Sequence, residues 1–267
     1  MNGPFHPGEL HAQQLAGVTG AGGGIRDFMP DQHREFFAAL PFVLVASLGA
    51  DGSPRAEVLC GTLSSPDPHT LVVAAASTLA EGAQVGLLGI DFATRRRNRA
   101  NGRVRSNRNG VLEIAVQQSF GNCPRHIRLR QVHAVERSAR PARRFDGPGV
   151  LAGADTFFIA TAGGAHGVDI SHRGGPPGFV QVDGMTLDVP DFDGNRYFNT
   201  LGNLLLDPRA ALLYIDFDSG DVLQLQGAIA IDWHAAGGRR WRFTAAGGAW
   251  AEAALPLRWS IADVVAL

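Results

Sequence analysis

Phe42–Ser47 reads FVLVAS and Phe157–Ala162 reads FFIATA, two apolar runs of the same length, each followed shortly by a glycine, Gly52 and Gly167. Aligned in one register, with Phe42 on Phe157, they make the chain an internal repeat. The first run is followed by a GADGSP turn, RAEVLCG, the polar link SSPDPH and TLVVAAAS. Apolar, β-branched runs punctuated by Gly, Pro, Asp and Ser predict strands joined by turns. Thr70-Leu71 then matches Thr186-Leu187, and Asn101-Gly102-Arg103-Val104 answers Asp207-Pro208-Arg209-Ala210. The arginine-dense run Thr94–Arg99 reads as a helix in the first copy, as Asn199–Leu206 does in the second. VLEIAVQQSF and HIRLRQVHAVE add strands to copy one, and RRWRF adds a last strand in the tail.

Each copy therefore predicts strand, turn, strand, strand, helix, strand, strand. An antiparallel set in that order hides its edges best by curling into a small barrel. The expected fold is mainly β, a β-barrel with short helices, occurring twice in tandem. Residues 1–30 read as an N-terminal extension, 31–137 as copy one, 138–152 as a Pro- and Arg-rich linker, and 153–267 as copy two with a C-terminal tail. A short amphipathic helix, DQHREFFAAL, opens copy one and stops at Pro41.

Composition removes several classes of function. Of 267 residues, 45% are hydrophobic and 18% charged, and the net charge is −1, which is ordinary for a globular chain. All 24 basic residues are arginine. Without lysine there is no Schiff base and no P-loop lysine, so any phosphate must be held by guanidinium, hydroxyl, amide or backbone N–H groups. Cys60 and Cys123 stand alone, with no CxxC. Neither GxSxG nor HExxH occurs, and DFDGN and DFDSGD read as turns rather than calcium loops, so no metal is expected. AGVTGAGGGI lacks GxGxxG spacing and reads as a flexible connection. No apolar run reaches the roughly 20 residues of a membrane span and no signal peptide is evident, which predicts a cytoplasmic protein without a membrane partner. The Thr94–Arg99 cluster has few aromatic neighbours, which argues against nucleic acid and leaves a solvated face or an anion contact between the barrels.

The functional centre lies in Asp169–Asp216. Arg173 ends a strand in SHRGGPPGFV, a turn carries Asn195 and Arg196, and the helix of Asn199–Leu206 follows. Unpaired N–H groups and partial positive charge at a helix start attract anions, so Arg173, Arg196, Asn199 and Thr200 near one predict a phosphate cradle. Gly174 and Gly175 would let a planar ring or a phosphate approach the main chain. The candidate binding set is Ser171, Arg173, Gly175, Asn195, Arg196, Asn199, Thr200 and Asn203. No catalytic residue is identified.

RDFMPDQHREFFAALPF, DFATRRRNRANGRV, FGNCPRHI, SHRGGPPGFV and PDFDGNRYFNTLGNLLLDPRAALLYIDF, in this order, carry a resemblance over nearly the whole chain. It resembles the predicted flavin-nucleotide-binding proteins related to pyridoxamine 5′-phosphate oxidase, whose fold is the FMN-binding split barrel. The resemblance implies FMN as cofactor and a tandem chain acting as an intrachain pseudo-dimer, so that any homodimer would pair pseudo-dimers. It also implies an FMN-dependent oxidoreductase with a small-molecule redox substrate or electron donor, or else a non-catalytic flavin carrier or sensor. In that family an arginine leaving the second strand and a Ser/Arg/Lys group at the helix start hold the FMN phosphate. Arg173 takes the first place, whereas the helix start falls on Phe198, Asn199 and Thr200, leaving Asn195, Arg196, Asn199, Thr200 and Asn203 as substitutes. Copy one offers Glu57 or Val58 opposite Arg173, so one flavin per chain is expected, its ring reaching toward Asn122–His126.

Overall fold

A computed structural model describes residues 3–18, 24–136 and 144–262. Half of the glycine-rich connection (residues 19–23) and the first part of the linker (within residues 137–143) lie outside the described residues. The N-terminal stretch read as an extension contains a helix, α1 (Pro7–Leu15), with His6 as N-cap, Pro7 in its first turn and a capping box closed by Glu9. Helix α2 (Asp31–Ala38) follows as expected and buries His33, Phe36 and Phe37.

Copy one then runs β1 (Phe42–Leu48), β2 (Pro54–Cys60), β3 (Thr62–Ser64), β4 (Thr70–Ala74), β5 (Gln84–Asp91), β6 (Arg96–Arg108), β7 (Val111–Gly121) and β8 (Arg130–Ala134). Copy two runs β9 (Thr156–Ala162), β10 (Val168–Gly174), β11 (Gln181–Asp183), β12 (Thr186–Pro190), α3 (Asn199–Leu206), β13 (Arg209–Ile215), β14 (Val222–Asp232), β15 (Arg240–Ala251) and β16 (Leu257–Ile261). The first seven-stranded sheet is ordered β2-β1-β5-β6-β7-β4-β3 and the second β10-β9-β13-β14-β15-β12-β11, so the two copies match strand for strand. The fold is mainly β, two curled antiparallel sheets with short helices, compatible with tandem split barrels. Strands β8 and β16 leave their sheets and pair with each other, Val132 opposite Trp259.

Why the central strands carry unbroken apolar runs is clear from the cores. Val43 and Val45 of β1 face the interior of sheet one with Phe37, Leu87 and Ile114. Phe157 and Ile159 of β9 face that of sheet two with Leu212, Trp241 and Phe243. The opposite faces meet each other, placing Leu44, Ala46 and Leu88 against Phe158, Ala160 and Leu213. A strand buried on both faces shows no alternation. Ion pairs close the seam between the copies: Arg99 with Asp169 at 2.9 Å, and Arg130 with Asp155 at 2.7 Å.

Two sequence expectations are corrected here. Thr94–Arg99 is not a helix: Thr94 and Arg95 turn the β5–β6 hairpin and β6 begins at Arg96. Arginine carries no strong helix signal of its own, and the inward residues Asn98, Ala100 and Val104 have the period of a strand. Asn101–Val104 is accordingly not the counterpart of Asp207–Ala210, because β13 corresponds to β5. Helix α3 has no helical counterpart between β4 and β5.

The repeat is also offset by one residue from the register read in the sequence. β1 pairs Val43 with Leu59, and β9 pairs Phe157 with Arg173, across five-residue loops, so Val43 and not Phe42 answers Phe157. A one-residue slip in a strand exchanges its faces. The counterpart of Arg173 is therefore Leu59, a core residue, while Glu57 answers Ser171.

Candidate functional site

A cleft runs along the seam where β10, the loop after β12 and the start of α3 meet the start of β6. It is shallow and open: about 100 Å³ of it is accessible to a water-sized sphere, within about 670 Å³ counted out into open solvent. Ser171, Arg173, Asn195, Arg196, Asn199 and Thr200, named from sequence, all line it. Asn203 and Gly175 do not. Asn203, within α3, is fully buried; its amide donates to Asp169 Oδ2 at 3.0 Å and Thr161 Oγ1 at 3.1 Å, and its Oδ1 lies 2.9 Å from His6 Nε2.

The two glycines serve the chain rather than a ring. A Cβ on Gly174 would sit 2.0 Å from the His126 carbonyl oxygen, and one on Gly175 would meet the ring of Phe179. That close approach of β10 to the Asn122–His126 turn brings copy one to the cleft wall. Asn122 Oδ1 accepts from Asn195 Nδ2 at 3.0 Å, bridging the copies.

Several cleft residues were not singled out from sequence: Arg97 and Arg99 from β6, Asp191, Phe192 and Asp193 after β12, and Arg239 before β15. The arginine run had suggested an anion contact between the barrels, but the helix reading hid which arginines face inward. Strand periodicity settles it: odd positions 97, 99 and 101 turn toward copy two. Arg99 donates to Asp169 and to Ser171 Oγ, and Asn101 donates to Asp169 at 2.8 Å.

Five guanidinium groups and two carboxylates line the cleft. Asp191 is shared between Arg239, at 2.6 Å, and Arg173, at 3.3 Å. Arg97 has no carboxylate partner among the described residues. Its Nε donates to the Cys123 carbonyl at 2.7 Å and its Nη1 lies 2.8 Å from His172 Nδ1. Burial, with Arg99 and Arg173 adding repulsion, pushes the Arg97 pKa down to about 10, so it remains a cation at neutral pH. Since a guanidinium only donates, His172 Nδ1 is the acceptor and Nε2 carries the proton. Burial and then the charge of Arg97 hold His172 well below its usual pKa, as a neutral ring.

The start of α3 completes the wall. Among the described residues no side chain caps it, and its N-cap, Phe198, is left-handed with φ of 62°, as is Arg196 at 63°. Bulky residues occupy that region at a cost. First-turn N–H groups of a helix have no intrahelical acceptor, and Asn199, Thr200 and Leu201 all border the cleft. Thr200 Oγ1 joins Ser171 Oγ at 2.8 Å, and the buried Arg173 Nε and His172 Nε2 have no hydrogen-bond partner among the described residues. This donor-rich, net-positive surface with an uncapped helix start fits an oxyanion such as a phosphate.

Helix α1 holds α3 in place. A Cβ on Gly8 would lie 2.3 Å from the Gly202 carbonyl oxygen, and one on Gly202 would lie 2.6 Å from Glu9 backbone atoms, so the helices touch main chain to main chain. Glu9 is 3% exposed, accepts from His6 N at 2.9 Å and also accepts from Asn199 Nδ2. Burial, followed by repulsion from Asp169, raises its pKa to about 7. A carboxyl raised in the folded state binds a proton there that the unfolded chain has released, so stability falls as pH rises from the unfolded value through about 7. Glu9→Gln should flatten that decline, by on the order of 2–3 kcal/mol between pH 5 and pH 8 at about 1.4 kcal/mol per unit. Urea unfolding at the two pH values checks it, and equal slopes for the two proteins would contradict the burial argument.

The pseudo-symmetric position in copy one lacks every part of this wall. Leu59 stands for Arg173 and Glu57 for Ser171; on β14, Val222 stands for Arg97 and Gln224 for Arg99. No helix start faces it, and Gln224 instead donates to the Ala56 carbonyl at 2.7 Å.

No family model matches the sequence, and no curated protein is similar to it. Among solved structures, a putative pyridoxamine 5′-phosphate oxidase from Lactobacillus delbrueckii is similar at 17% identity and a TM-score of 0.30, covering 36% of this chain and 95% of that one. The K. pneumonia MrkH–c-di-GMP complex is similar at 10% identity and a TM-score of 0.25, covering 85% and 87%. Among the described residues no helix is long and apolar enough to cross a membrane.

Proposed function

We propose that the chain binds one FMN in the cleft between its two copies and acts as an FMN-dependent oxidoreductase on a small redox partner. The observation that carries this reading is the phosphate-fitting wall: Arg173, Ser171 and Thr200 beside the uncapped start of α3. The flavin, when bound, would supply hydride transfer, chemistry that no side chain provides. The protein's own share is binding and electrostatics. Arg173 and the α3 N–H groups would hold the phosphate. Arg97, a cation without a carboxylate partner, would set positive potential at the wall contributed by copy one, and Phe192, Phe198 and Leu88 would supply apolar surface. His172, held neutral, would accept from Arg97 Nη1 at Nδ1 and so fix that guanidinium at the cleft wall.

Arg173→Ala should weaken FMN binding by roughly 1.5–3 kcal/mol, the range for a charge-assisted hydrogen bond to phosphate. Fluorescence titration with FMN checks it, and equal affinity in both proteins would remove Arg173 from the cradle. A flavin carrier or sensor without turnover uses the same wall. Reduction of bound FMN by a nicotinamide donor, with reoxidation by an added acceptor over many cycles, separates the two.

A further inference from the structure

Strand β8 has an open edge. Among the described residues its only strand partner is β16. Val135 donates its N–H to the Pro256 carbonyl and Ala262 donates to the Leu129 carbonyl, so Leu129, Gln131, His133 and Val135 are the residues whose backbone groups turn toward β16. In an antiparallel strand these groups alternate between the two edges. The N–H and C=O groups of Arg130, Val132 and Ala134 therefore point the other way, and among the described residues they make no backbone hydrogen bond. Val132 is 39% exposed, and Gln131, His133 and Ala134 are exposed with it. An open edge is a template for another strand unless proline, lysine or a bulge blocks it. β8 reads RQVHA and keeps an unbroken register with β16, so it has none of these.

The edge borders an apolar pocket. Trp259 stands opposite Val132 on β16, and both line the pocket together with Phe36, Leu40, Phe42 and Phe92. About 280 Å³ of it is accessible to a water-sized sphere. The edge is also complementary to itself. Two β8 strands running antiparallel with Val132 on a two-fold axis set Val132 against Val132, Gln131 against His133, Arg130 against Ala134 and Arg128 against Glu136. Branched apolar side chains meet at the centre, opposite charges meet at the ends and no two like charges face each other, which is the pairing that adjacent strands favour. The charges at the ends are available, since the Arg128 side chain is 44% exposed and Glu136 is exposed. A two-fold contact needs one patch that fits its own copy, and this edge does.

We infer that the chain forms a two-fold dimer in which β8 pairs with β8 of a second copy, joining two β8–β16 ribbons into one continuous sheet. The outward backbone groups of Val132 and Ala134 then find partners, and each Val132 covers the rim of the other copy's pocket. The inference does not depend on the flavin reading, because this pocket shares no lining residue with the cleft. So short an edge makes a weak dimer, and sedimentation equilibrium of the full chain up to about 1 mM covers contacts of that strength. The mass should rise with concentration from 28.3 kDa toward twice that value. Val132→Pro should hold it at 28.3 kDa with the melting temperature retained, because the Val132 N–H serves no bond within the described chain. Val132→Lys should do the same by setting two cations face to face. Amide exchange followed by NMR locates the contact in the wild-type chain. Exchange at Val132 and Ala134 should slow roughly ten-fold when about nine-tenths of the chain is paired, while Gln131 and His133, already turned to β16, should not change with concentration. A mass of 28.3 kDa at every concentration, a dimer that survives either substitution, or protection that does not alternate along β8 would each overturn the assignment.

Discussion

Asp169→Ala should destabilise the protein by roughly 3–5 kcal/mol, the cost of leaving a buried charge without its partner. Asp169 is 7% exposed and accepts from Arg99 at 2.9 Å, Asn101 at 2.8 Å and Asn203 at 3.0 Å. Two of these donors come from copy one and one from α3, so a single carboxylate fixes β6, β10 and α3 together. Its loss strands the Arg99 guanidinium, 5% exposed, where the remaining described oxygen is Ser171 Oγ. The double variant Asp169→Ala with Arg99→Met should be less destabilised than Asp169→Ala alone, because the uncompensated charge goes with its partner. Urea midpoints measure both, and a single-variant loss under about 1 kcal/mol would mean that water reaches Arg99 and the pair is not buried as described.

The second large effect is expected at the other end of the seam. Asp155→Ala should cost about 3–5 kcal/mol by the same argument. Both Asp155 oxygens lie 2.7 Å from Arg130 Nη2, and Arg128 Nη1 adds a 3.0 Å contact. Burial alone would raise the Asp155 pKa, but Arg130 and Arg128 outweigh it and hold the carboxyl below its usual range. A depressed carboxylate contributes stability above its unfolded pKa and loses it as pH falls through the folded value, so the deficit of Asp155→Ala should shrink in acid. Arg130 rests on Phe217 of copy two and approaches Phe92 of copy one, so loosening it should loosen the junction of the copies. Unfolding followed by tryptophan fluorescence at neutral and acid pH would show this; a deficit that does not change with pH would contradict it.

The repeat and the barrel class were legible because the strands that build them are apolar runs between Gly- and Pro-rich turns. Register was not. FVLVAS and FFIATA are buried on both faces, so neither alternates, and the only markers left were two glycines that turn out to occupy different places in their loops. The consequence was local but real: Glu57 or Val58 was set opposite Arg173 where Leu59 stands.

Most of the copy-two wall was readable, because a strand-end arginine, an Asn/Arg turn and a helix start lie close together in sequence. The copy-one wall was not, because Arg97 and Arg99 reach the cleft only through the pairing of two distant sheets. Helix α1 did leave a signal, a proline at its start and a glutamate two residues on, which glycine-rich surroundings obscured. What no sequence pattern reveals is that Asn203 and Asn199 turn part of their hydrogen bonding toward α1.

The account rests on a single anion cradle per chain, built on copy two and lost from copy one. The FMN-to-chain ratio, taken by absorbance after saturation, removal of free flavin and denaturation, tests it most directly. The account predicts a ratio near one that Arg173→Ala lowers and Glu57→Ala leaves alone. A ratio near two would mean that the Leu59–Gln224 side also holds flavin, and a ratio near zero after reconstitution would contradict flavin binding altogether.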